Sequence, residues 1–394
     1  MVKPPMPDLQ VKHSSRIYLS LSALRNNVSF VRSKIGPRPI ISATVKANAY
    51  GHGIDKFIPM LERCGIRHFA VASSFEASQV LQCCSAGSEI SIMGILYEHD
   101  LEWVISHDIQ YYVFDLERLR QSVEAARRVG KMAIIHLEVE TGGNRTGLPV
   151  SELNEALHFL KAHQDEIDFR GFCTHLAGAE TLANHFRIRR QMVVFREAYE
   201  QCKAVGYLPK LRHIASSAAA LSLPEARLDM VRVGIALYGL WPSPDVYNLH
   251  LVETNQISDN PLQRVISWKT DIMHLKEVKD GEFVGYGTSY QANSDMLIAV
   301  IPLGYANGYS RSLSNKGFVL IRGKRANICG LINMNLFMVD VSHIKNVQVG
   351  DEVVLIGKQK NNSITISSFS DFANTLNNEL MCRLPADIPR SIIR

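Results

Sequence analysis

The sequence has 394 residues, of which 46% are hydrophobic and 21% are charged, and Lys plus Arg outnumber Asp plus Glu by 43 to 38. This length predicts two domains, one of them large, because a single hydrophobic core seldom grows to this size. The charge surplus is small and no basic run contains interleaved aromatic residues, which excludes a typical nucleic-acid-binding protein.

The N-terminal segment and the cysteine content favour a cytoplasmic location. Residues 1–15 contain prolines and polar residues rather than an apolar core, so we expect no secretory signal. No stretch of about 18 apolar residues predicts a membrane span. The seven cysteines are scattered without a CxxC pair, which is typical of reduced thiols. We therefore expect a cytoplasmic protein with no membrane or nucleic-acid partner, and the sequence suggests no metal-ligand set.

The first two-thirds of the chain alternates between helical periodicity and short apolar runs. An amphipathic helix, with Leu21, Leu24, Val28 and Val31 on one face, precedes the first run. The eight predicted strands are Ile40–Lys46, His68–Ala72, Ile90–Met93, Gln110–Phe114, Ala133–Val139, Phe169–His175, Leu211–Ala215 and Met230–Ile235. This alternation predicts a (β/α)₈ barrel of the TIM type. An open doubly wound sheet, which shows the same local alternation, is the alternative.

The pattern changes after about Val252, where β-branched runs of period two become dominant. The predicted strands are Val265–His274, Glu282–Tyr290, Leu297–Pro302, Phe318–Arg322, Phe337–Val341 and Asp351–Ile356, and a late helix is predicted at Ser367–Cys382. The fold class is therefore α/β, with an N-terminal barrel followed by a mostly β C-terminal domain. We place the barrel domain at 14–252 and the β domain at 253–394.

Several candidate functional residues lie at the C-terminal ends of the predicted barrel strands, where the active sites of such barrels lie. Lys46 ends the first strand, His175 ends the sixth, and Arg232 lies in the eighth. Residues 216–218, Ser-Ser-Ala, follow the seventh strand, in a region where phosphate commonly binds. A lysine amine in a cleft can form a Schiff base with an aldehyde cofactor. Taken singly, Lys46 can instead extend into solvent and His175 can be an ordinary core histidine.

The run at 43–53, Ala-Thr-Val-Lys-Ala-Asn-Ala-Tyr-Gly-His-Gly, closely resembles the cofactor-lysine motif of the alanine racemase family. Further matching segments follow in the family's order, at 140–147, 174–175, 213–218, 231–239, 284–287, 304–309 and 333–335. The resemblance extends from about Arg16 to Arg390. It implies a pyridoxal 5'-phosphate (PLP)-dependent isomerase that interconverts free L- and D-alanine through a Schiff-base intermediate. It also implies a head-to-tail homodimer with shared active sites.

The resemblance implies that two bases act on opposite faces of the substrate α-carbon. Lys46 matches the Schiff-base lysine, and Tyr286 matches a tyrosine that the partner subunit provides. PLP delocalises the carbanion that forms when the α-proton leaves. Arg145 matches an arginine that touches this tyrosine and the substrate carboxylate, and its charge would lower the tyrosine pKa. From the residues alone, Tyr286 can equally be a strand aromatic in a Gly-Tyr-Gly turn.

The other matched residues surround the cofactor and the substrate. The resemblance implies cofactor binding by Lys46, Tyr50, His175, Ser217, Arg232, Gly234 and Ile235, and substrate binding by Arg145 and Met334. Arg232 matches an arginine that faces the pyridine nitrogen of PLP. Because arginine keeps its proton, that nitrogen stays unprotonated, which disfavours transamination. From the residues alone, an ion pair at the bottom of the barrel is the alternative role of Arg232.

The sequence departs from the family pattern at several positions. Ala386 stands where typical members have a tyrosine that narrows the substrate pocket, so we expect a larger pocket. Glu138 stands where many members have a lysine that becomes carbamylated and holds the arginine, so we predict a Glu138–Arg145 pair. Several departures resemble the broad-specificity branch of the family, although we expect no secretion signal of the kind its members usually carry. The alternative is therefore a racemase that prefers a larger amino acid such as lysine, arginine or serine.

Two hypotheses from other classes of protein are also considered. A non-catalytic PLP-binding protein with the same barrel would consist essentially of the barrel alone, which the β domain and Tyr286 disfavour. A barrel-type amino acid decarboxylase would combine a barrel and a β domain. It would, however, place an acidic residue at the pyridine nitrogen, where this chain has Arg232.

Overall fold

The computed structural model describes residues 12–255, 260–368 and 377–394, and the chain divides into two units. The barrel unit is Leu21–Val265. The β unit is Ile266–Arg394 together with the N-terminal segment up to Ser20, which contains strand β1 (Ser15–Ser20). Within the described ranges, the helices are all too short or too polar to cross a membrane.

The barrel unit is built on eight parallel strands that neighbour each other in sequence order. They are β2 (Ile40–Thr44), β3 (His68–Ser73), β4 (Glu89–Ile95), β5 (Gln110–Val113), β6 (Ala133–Glu138), β7 (Ile167–Cys173), β8 (Leu211–His213) and β9 (Met230–Val233). Strand β2 pairs with both β3 and β9, and Arg232 N donates to Ala215 O at 3.0 Å beyond the end of β8. The ring is thus nearly closed. The predicted (β/α)₈ barrel is confirmed, and an open sheet is excluded.

Helices follow the strands around the barrel. They are α1 (Leu21–Ile35), α2 (Lys46–Tyr50), α3 (Ile54–Arg63), α4 (Ser74–Leu81), α5 (Leu101–Ser106), α6 (Leu116–Val129), α7 (Val150–Ala162), α8 (His185–Val205), α9 (Ser217–Ser222) and α10 (Pro244–Thr254). Helix α6 shows why these segments are helical. The Asp115 carboxylate accepts a hydrogen bond from Arg118 N at 2.7 Å as the N-cap, and the helix ends at Gly130 with a left-handed φ of 72°. Leu119 and Val123 face the strands and are buried.

The β unit contains two sheets, one mixed and one antiparallel, and a short helix. Its remaining strands are β10 (Ile266–Asp271), β11 (His274–Val278), β12 (Met296–Ile301), β13 (Phe318–Ile321), β14 (Lys324–Asn327), β15 (Phe337–Asp340), β16 (Glu352–Gln359), β17 (Asn362–Ile364) and β18 (Arg390–Ile393), and its helix is α11 (Asn377–Cys382). The larger sheet has the order β14-β13-β16-β10-β1-β18 with β17 beside β16, and the smaller has the order β11-β12-β15. The predicted mostly β C-terminal domain is confirmed.

Strand β1 joins the larger sheet through pairings that are distant in sequence. It lies antiparallel to β10 and parallel to β18. Arg16 donates to both carboxylate oxygens of Asp271, at 2.8 and 2.7 Å. Ile17 and Leu19 alternate with outward residues and are fully buried, as the two-residue period of a half-buried strand requires. Ser15–Ser20 is not among the strands predicted from the sequence.

Two predicted elements of the β unit differ in the structure. The segment Glu282–Tyr290 is a loop rather than a strand, and its one ladder contact is an isolated bridge between Phe283 and Gln291. Gly285 and Gly287 both have left-handed φ angles, 74° and 70°, and such angles break an extended strand. The predicted strand Val265–His274 is two strands, β10 and β11. Of the predicted helix Ser367–Cys382, residues 369–376 lie outside the described part of the chain, and the end is α11.

Candidate active site

Lys46 lies directly after β2, at the end of the barrel where the C-termini of the strands meet, and its side chain is exposed. Val45 before it is fully buried, and its N–H donates to Ala70 O of β3 at 2.9 Å. The four residues after Lys46, at 47–50, all have φ between 50° and 53°. A left-handed turn of non-glycine residues costs about 1–2 kcal/mol per residue, so the surrounding contacts must hold it in place.

Side chains from neighbouring segments hold this turn. The Glu76 carboxylate accepts from Ala47 N at 2.6 Å through Oε1 and from Ala72 N at 2.8 Å through Oε2. It therefore ties the turn to the end of β3. Asn48 Oδ1 accepts from Ile54 N at 3.0 Å, which fixes the start of α3. Sequence reasoning assigned no role to Glu76, because its contacts are 29 and 4 residues away and follow no local period.

Tyr50, Ser217 and Gly234 are brought together beside the turn. Gly234 N donates to Ser217 Oγ at 2.8 Å, and a Cβ on Gly234 would lie only 2.8 Å from Tyr50 Oη. Glycine lets the backbone just after β9 approach this phenol without displacing it. Ser216 Oγ is buried and has no hydrogen-bond partner among the described residues. Ile235 begins a turn in which its carbonyl accepts from Tyr238 and Leu240 N–H groups, at 3.2 Å each.

Arg232 is a buried cation surrounded by neutral acceptors. Arg232 is 6% exposed. Its Nη1 donates to His213 Nδ1 at 2.7 Å. Its Nη2 donates to Thr174 O at 3.0 Å and to His175 Nδ1 at 3.3 Å. It forms no ion pair with any carboxylate in the part of the chain that the structure describes. An ion pair at the barrel bottom is therefore not its role. Its charge is available to a group that enters the barrel end.

His175 lies against Arg232 and is largely buried. Burial, together with the positive charges of Arg232, Arg145 and Lys46, lowers the pKa of His175 to about 3, so its ring is neutral at physiological pH. Because a guanidinium can only donate, His175 Nδ1 accepts and its hydrogen lies on Nε2. Gln191 of α8 supports this segment by donating to His175 O at 3.1 Å.

Arg145 lies on a loop between β6 and α7 and is exposed. The base of the loop is closed by Gly147, where a Cβ would lie 2.6 Å from Glu140 N. The Glu140 carboxylate accepts from the backbone N–H groups of Gly142, Gly143 and Asn144. Burial would raise the pKa of Glu140, but these backbone hydrogen bonds outweigh it and lower the pKa. The loop is thus ordered around an ionised carboxylate.

The predicted Glu138–Arg145 pair is wrong. Glu138 is 4% exposed, its Oε2 has no hydrogen-bond partner, and neither an ion pair nor a hydrogen bond joins it to Arg145 among the described residues. A short side chain on the buried strand β6 does not reach an arginine on an exposed loop. Burial raises the pKa of Glu138, although Thr146 and the charges of Arg232 and Arg145 act in the opposite direction.

Tyr286 and Met334 belong to the β unit and are both exposed, at 73% and 56%. Tyr286 lies between two left-handed glycines, and the preceding Val284 is anchored in a buried apolar cluster with Met338 and Cys329. Met334 is held by its backbone, because its carbonyl accepts from Ala306 N at 3.0 Å. Both side chains are therefore accessible to another molecule.

Comparison with known proteins identifies both units. The model of the alanine racemase N-terminal domain matches residues 19–242, and that of the alanine racemase C-terminal domain matches residues 265–392. The chain is 33% identical over 386 residues to the alanine racemase of Leptospira interrogans, which covers 97% of this chain and 96% of that protein.

Solved structures give the same result. The alanine racemase from D-cycloserine-producing Streptomyces lavendulae has a TM-score of 0.88 and 30% identity over 98% of each chain. The alanine racemase from Bartonella henselae, solved with covalently bound pyridoxal phosphate, has a TM-score of 0.83 and 26% identity. That similarity covers 97% of this chain and 100% of the Bartonella chain.

Proposed function

This chain belongs to the alanine racemase family, and on that premise we propose that it is a PLP-dependent isomerase that interconverts L- and D-alanine. One observation carries the proposal. One end of the barrel holds Lys46, the cluster of Tyr50, Ser217 and Gly234, and the buried Arg232. Arg232 has no acidic ion-pair partner among the described residues. A barrel-type decarboxylase would have an acidic residue in the place of Arg232, and this chain has an arginine there.

The residues at this end of the barrel suit the cofactor that the family implies. The hydroxyls of Ser216, Ser217 and Tyr50 and the backbone N–H of Gly234 are donors of the kind that can bind a phosphate, and Ser216 Oγ has no partner among the described residues. We propose that Tyr50, Ser217, Gly234 and Ile235 hold the phosphate and that Lys46 holds the cofactor covalently. Bound PLP supplies the ring system that delocalises negative charge when the substrate loses its α-proton.

Arg232 and His175 would determine the electronic character of this site. We propose that the Arg232 guanidinium faces the ring nitrogen and, because it keeps its own proton, leaves that nitrogen unprotonated. His175 is neutral and shares its Nδ1 with Arg232, so its Nε2–H is available to donate toward the substrate side. This arrangement would favour return of a proton to the α-carbon over side reactions.

Two bases on opposite faces of the α-carbon would transfer the proton. We propose Lys46 as one base and Tyr286 of the partner subunit as the other, with Arg145 and the Met334 backbone receiving the substrate carboxylate. The exposure of Tyr286 on a glycine-flanked turn supports its use by a second copy of the chain. The Arg145 guanidinium would also contact this phenol and so support its role as a base.

A broader substrate range is the second candidate. Ala386 is the observation that favours it, since only a methyl group stands where family members carry a phenol. Its backbone is fixed, because Arg390 donates to Ala386 O and to Pro385 O at 2.9 Å each. Side chains larger than that of alanine, such as those of lysine, arginine and serine, would then be accepted.

Chiral chromatography of reaction products tests both candidates. The PLP-loaded protein is incubated separately with L-alanine, L-serine, L-lysine and L-arginine, and Lys46→Ala is the control. Formation of D-alanine supports the proposal, and the relative kcat/KM values rank the substrates. Turnover confined to alanine removes the broad-specificity candidate. Absence of any D-amino acid with PLP bound contradicts the proposed function.

A further inference from the structure

A series of hydrogen-bonded polar side chains begins at Arg232 and extends through the barrel interior, away from the candidate active site. His213 Nδ1 lies 2.7 Å from Arg232 Nη1, and His213 Nε2 lies 2.7 Å from His136 Nδ1. His136 Nε2 lies 2.7 Å from Gln110 Oε1, and Gln110 Nε2 donates to the carboxylate of Glu89. We call these four residues, His213, His136, Gln110 and Glu89, the interior chain. It connects a buried cation to a partly exposed carboxylate.

The direction of every hydrogen bond in the interior chain follows from its two ends. Arg232 can only donate, so His213 Nδ1 accepts and the hydrogen of His213 lies on Nε2. That hydrogen points to His136 Nδ1, which therefore accepts, and His136 carries its hydrogen on Nε2. The Gln110 oxygen accepts that hydrogen, and its amide nitrogen donates to Glu89. All hydrogen bonds are donated in one direction, from the cation to the anion, and nowhere do two donors or two acceptors face each other.

A branch at Gln110 is compatible with this orientation of its amide. His68 Nε2 also lies 3.3 Å from Gln110 Oε1, and His68 Nδ1 lies 2.9 Å from Ser42 Oγ. A carbonyl oxygen has two lone pairs, so Gln110 Oε1 can accept from both histidines. The Ser42 hydroxyl can then donate to His68 Nδ1. With the opposite orientation, the amide NH₂ would lie against the Nε2–H of His136.

The interior chain is not a packing necessity. Such barrels are commonly filled by branched apolar residues, and burying polar groups costs free energy unless every one is paired. His136 and His213 are fully buried, and Gln110 is 1% exposed. The fold also makes room for them, because a Cβ on Gly171 would lie 1.9 Å from His136 Nδ1. Burial lowers the pKa of both histidines well below the ordinary value, so both are neutral.

We propose that Gln110 and His136 are positioning residues for Arg232. Through the fixed tautomers of the interior chain, they keep His213 Nδ1 as an acceptor and so hold the guanidinium in one orientation. The contact of Arg232 with the cofactor ring rests on the proposed function, whereas the tautomers and the guanidinium orientation do not depend on it. Loss of Gln110 leaves two buried N–H donors without an acceptor and frees the adjoining rings to rearrange.

Long-range ¹H–¹⁵N NMR of histidine-labelled full-length protein tests the tautomers directly, before and after addition of PLP. Single histidine variants assign the signals of His68, His136 and His213. We expect all three to be neutral with the hydrogen on Nε2, unchanged from about pH 6 to pH 9. A hydrogen on Nδ1 of His136 or His213, or protonation of either ring in this range, overturns the proposal. This readout needs no enzymatic activity, so it is independent of a failure of the proposed function.

Gln110→Met tests the positioning role, because it keeps the side-chain volume and removes the acceptor. Tyr111→Phe is the matched control: it removes a buried hydroxyl from the next residue of β5, which donates to Ser122 Oγ at 2.8 Å on the helical side of the strand. The readouts are the His213 ¹⁵N shifts and the number of racemisation turnovers before the cofactor is converted to pyridoxamine phosphate. We expect Gln110→Met to shift the His213 signals and to lower that number roughly threefold to tenfold, as loss of one buried hydrogen bond implies.

The control should change neither readout. Equal values for folded Gln110→Met and Tyr111→Phe overturn the positioning role. If Gln110→Met does not fold, Gln110→Asn takes its place, because the shorter amide keeps its polarity but no longer reaches both histidines. The results expected for Gln110→Met, and the result that overturns the positioning role, then apply to Gln110→Asn. If no racemisation is found in the wild-type protein, the proposed function fails, and the ¹⁵N shifts of His213 still test the interior chain.

Discussion

Glu76 accepts a hydrogen bond from the backbone N–H of Ala47, at 2.6 Å, one residue after the lysine proposed to hold the cofactor. Its second oxygen accepts from Ala72 N at the end of β3. One carboxylate therefore fixes both the left-handed turn and its neighbouring strand. The strained turn keeps its shape because this one side chain accepts hydrogen bonds from both segments.

Glu76→Gln should weaken cofactor binding. An amide has one accepting oxygen, so one of the two backbone donors loses its acceptor, at a cost of about 1–3 kcal/mol. We expect the dissociation constant of PLP, measured by absorbance titration of the apoprotein, to rise roughly tenfold. Glu62→Gln is the matched control, since Glu62 accepts from Ser85 and Ser88 on the far side of α3. Equal affinities for the two variants would show that Glu76 does not support the site.

The buried histidines should make the protein less stable as the pH falls. Burial lowers the pKa of His136 and His213 well below 6.5 and that of His175 to about 3. The unfolded chain then binds protons that the folded chain does not, so the free energy of unfolding decreases as pH falls below about 6.5. Urea denaturation at pH 7, 6 and 5.5 measures the slope. His175→Asn should reduce it by up to one proton, and an identical slope in wild type and variant would contradict this.

Glu138→Gln should stabilise the protein most at high pH. Burial raises the pKa of Glu138 in the folded protein above the ordinary value of 4.5. The folded protein therefore binds this proton more tightly than the unfolded chain, and the free energy of unfolding falls as the pH rises from 4.5 through the folded-state pKa. Glutamine has nearly the same shape and no charge to desolvate. We expect the Tm difference between Glu138→Gln and wild type to grow between pH 4 and pH 8. A Tm difference that is constant with pH would mean that ionisation of Glu138 does not destabilise the folded protein.

Mixing two inactive variants should restore activity if the active sites are shared. Lys46→Ala and Tyr286→Phe should each lower racemisation by about 10²–10⁴, the usual effect of removing a general base. In a symmetric dimer with shared sites, a mixed dimer contains one intact site and one doubly altered site. We expect co-expression of the two variants to recover alanine racemisation, which each alone lacks. Tyr305→Phe, another exposed tyrosine of the β unit, is the control and should remain active.

Failure of co-expressed variants to recover activity, although they form mixed dimers, would place Lys46 and Tyr286 in the same subunit's site. Size-exclusion chromatography with differently tagged chains establishes that mixed dimers form. A monomer in that experiment would contradict the proposed homodimer.

Local patterns in the sequence were sufficient to predict the barrel. Each apolar run from Ile40–Lys46 to Met230–Ile235 overlaps one barrel strand, because strands covered on both faces must be continuously apolar. The residues at their C-terminal ends then follow from the barrel geometry alone. The loop Glu282–Tyr290 was mispredicted for the same reason: its apolar alternation is real, but Gly285 and Gly287 adopt left-handed angles that no alternation reveals.

Contacts between distant residues could not be predicted. Strand β1 pairs with β10 about 250 residues later, a register that only the folded sheet determines. Gln110 and His136 were overlooked because each is one polar residue in an apolar run, and only the closed barrel brings them together. The Glu138–Arg145 prediction failed because it transferred the role of a longer, carbamylated lysine to a glutamate, and the buried Glu138 carboxylate forms no ion pair with the exposed Arg145.

The central claim is α-proton transfer at the site formed around Lys46, and NMR in D₂O tests it most directly. L-Alanine is incubated with the PLP-loaded protein, the α-proton signal is followed, and the product is separated by chirality. We predict loss of that signal together with formation of deuterated D-alanine, and neither change with Lys46→Ala. An α-proton that persists while PLP remains bound would contradict the account and indicate a PLP-binding protein without racemase activity.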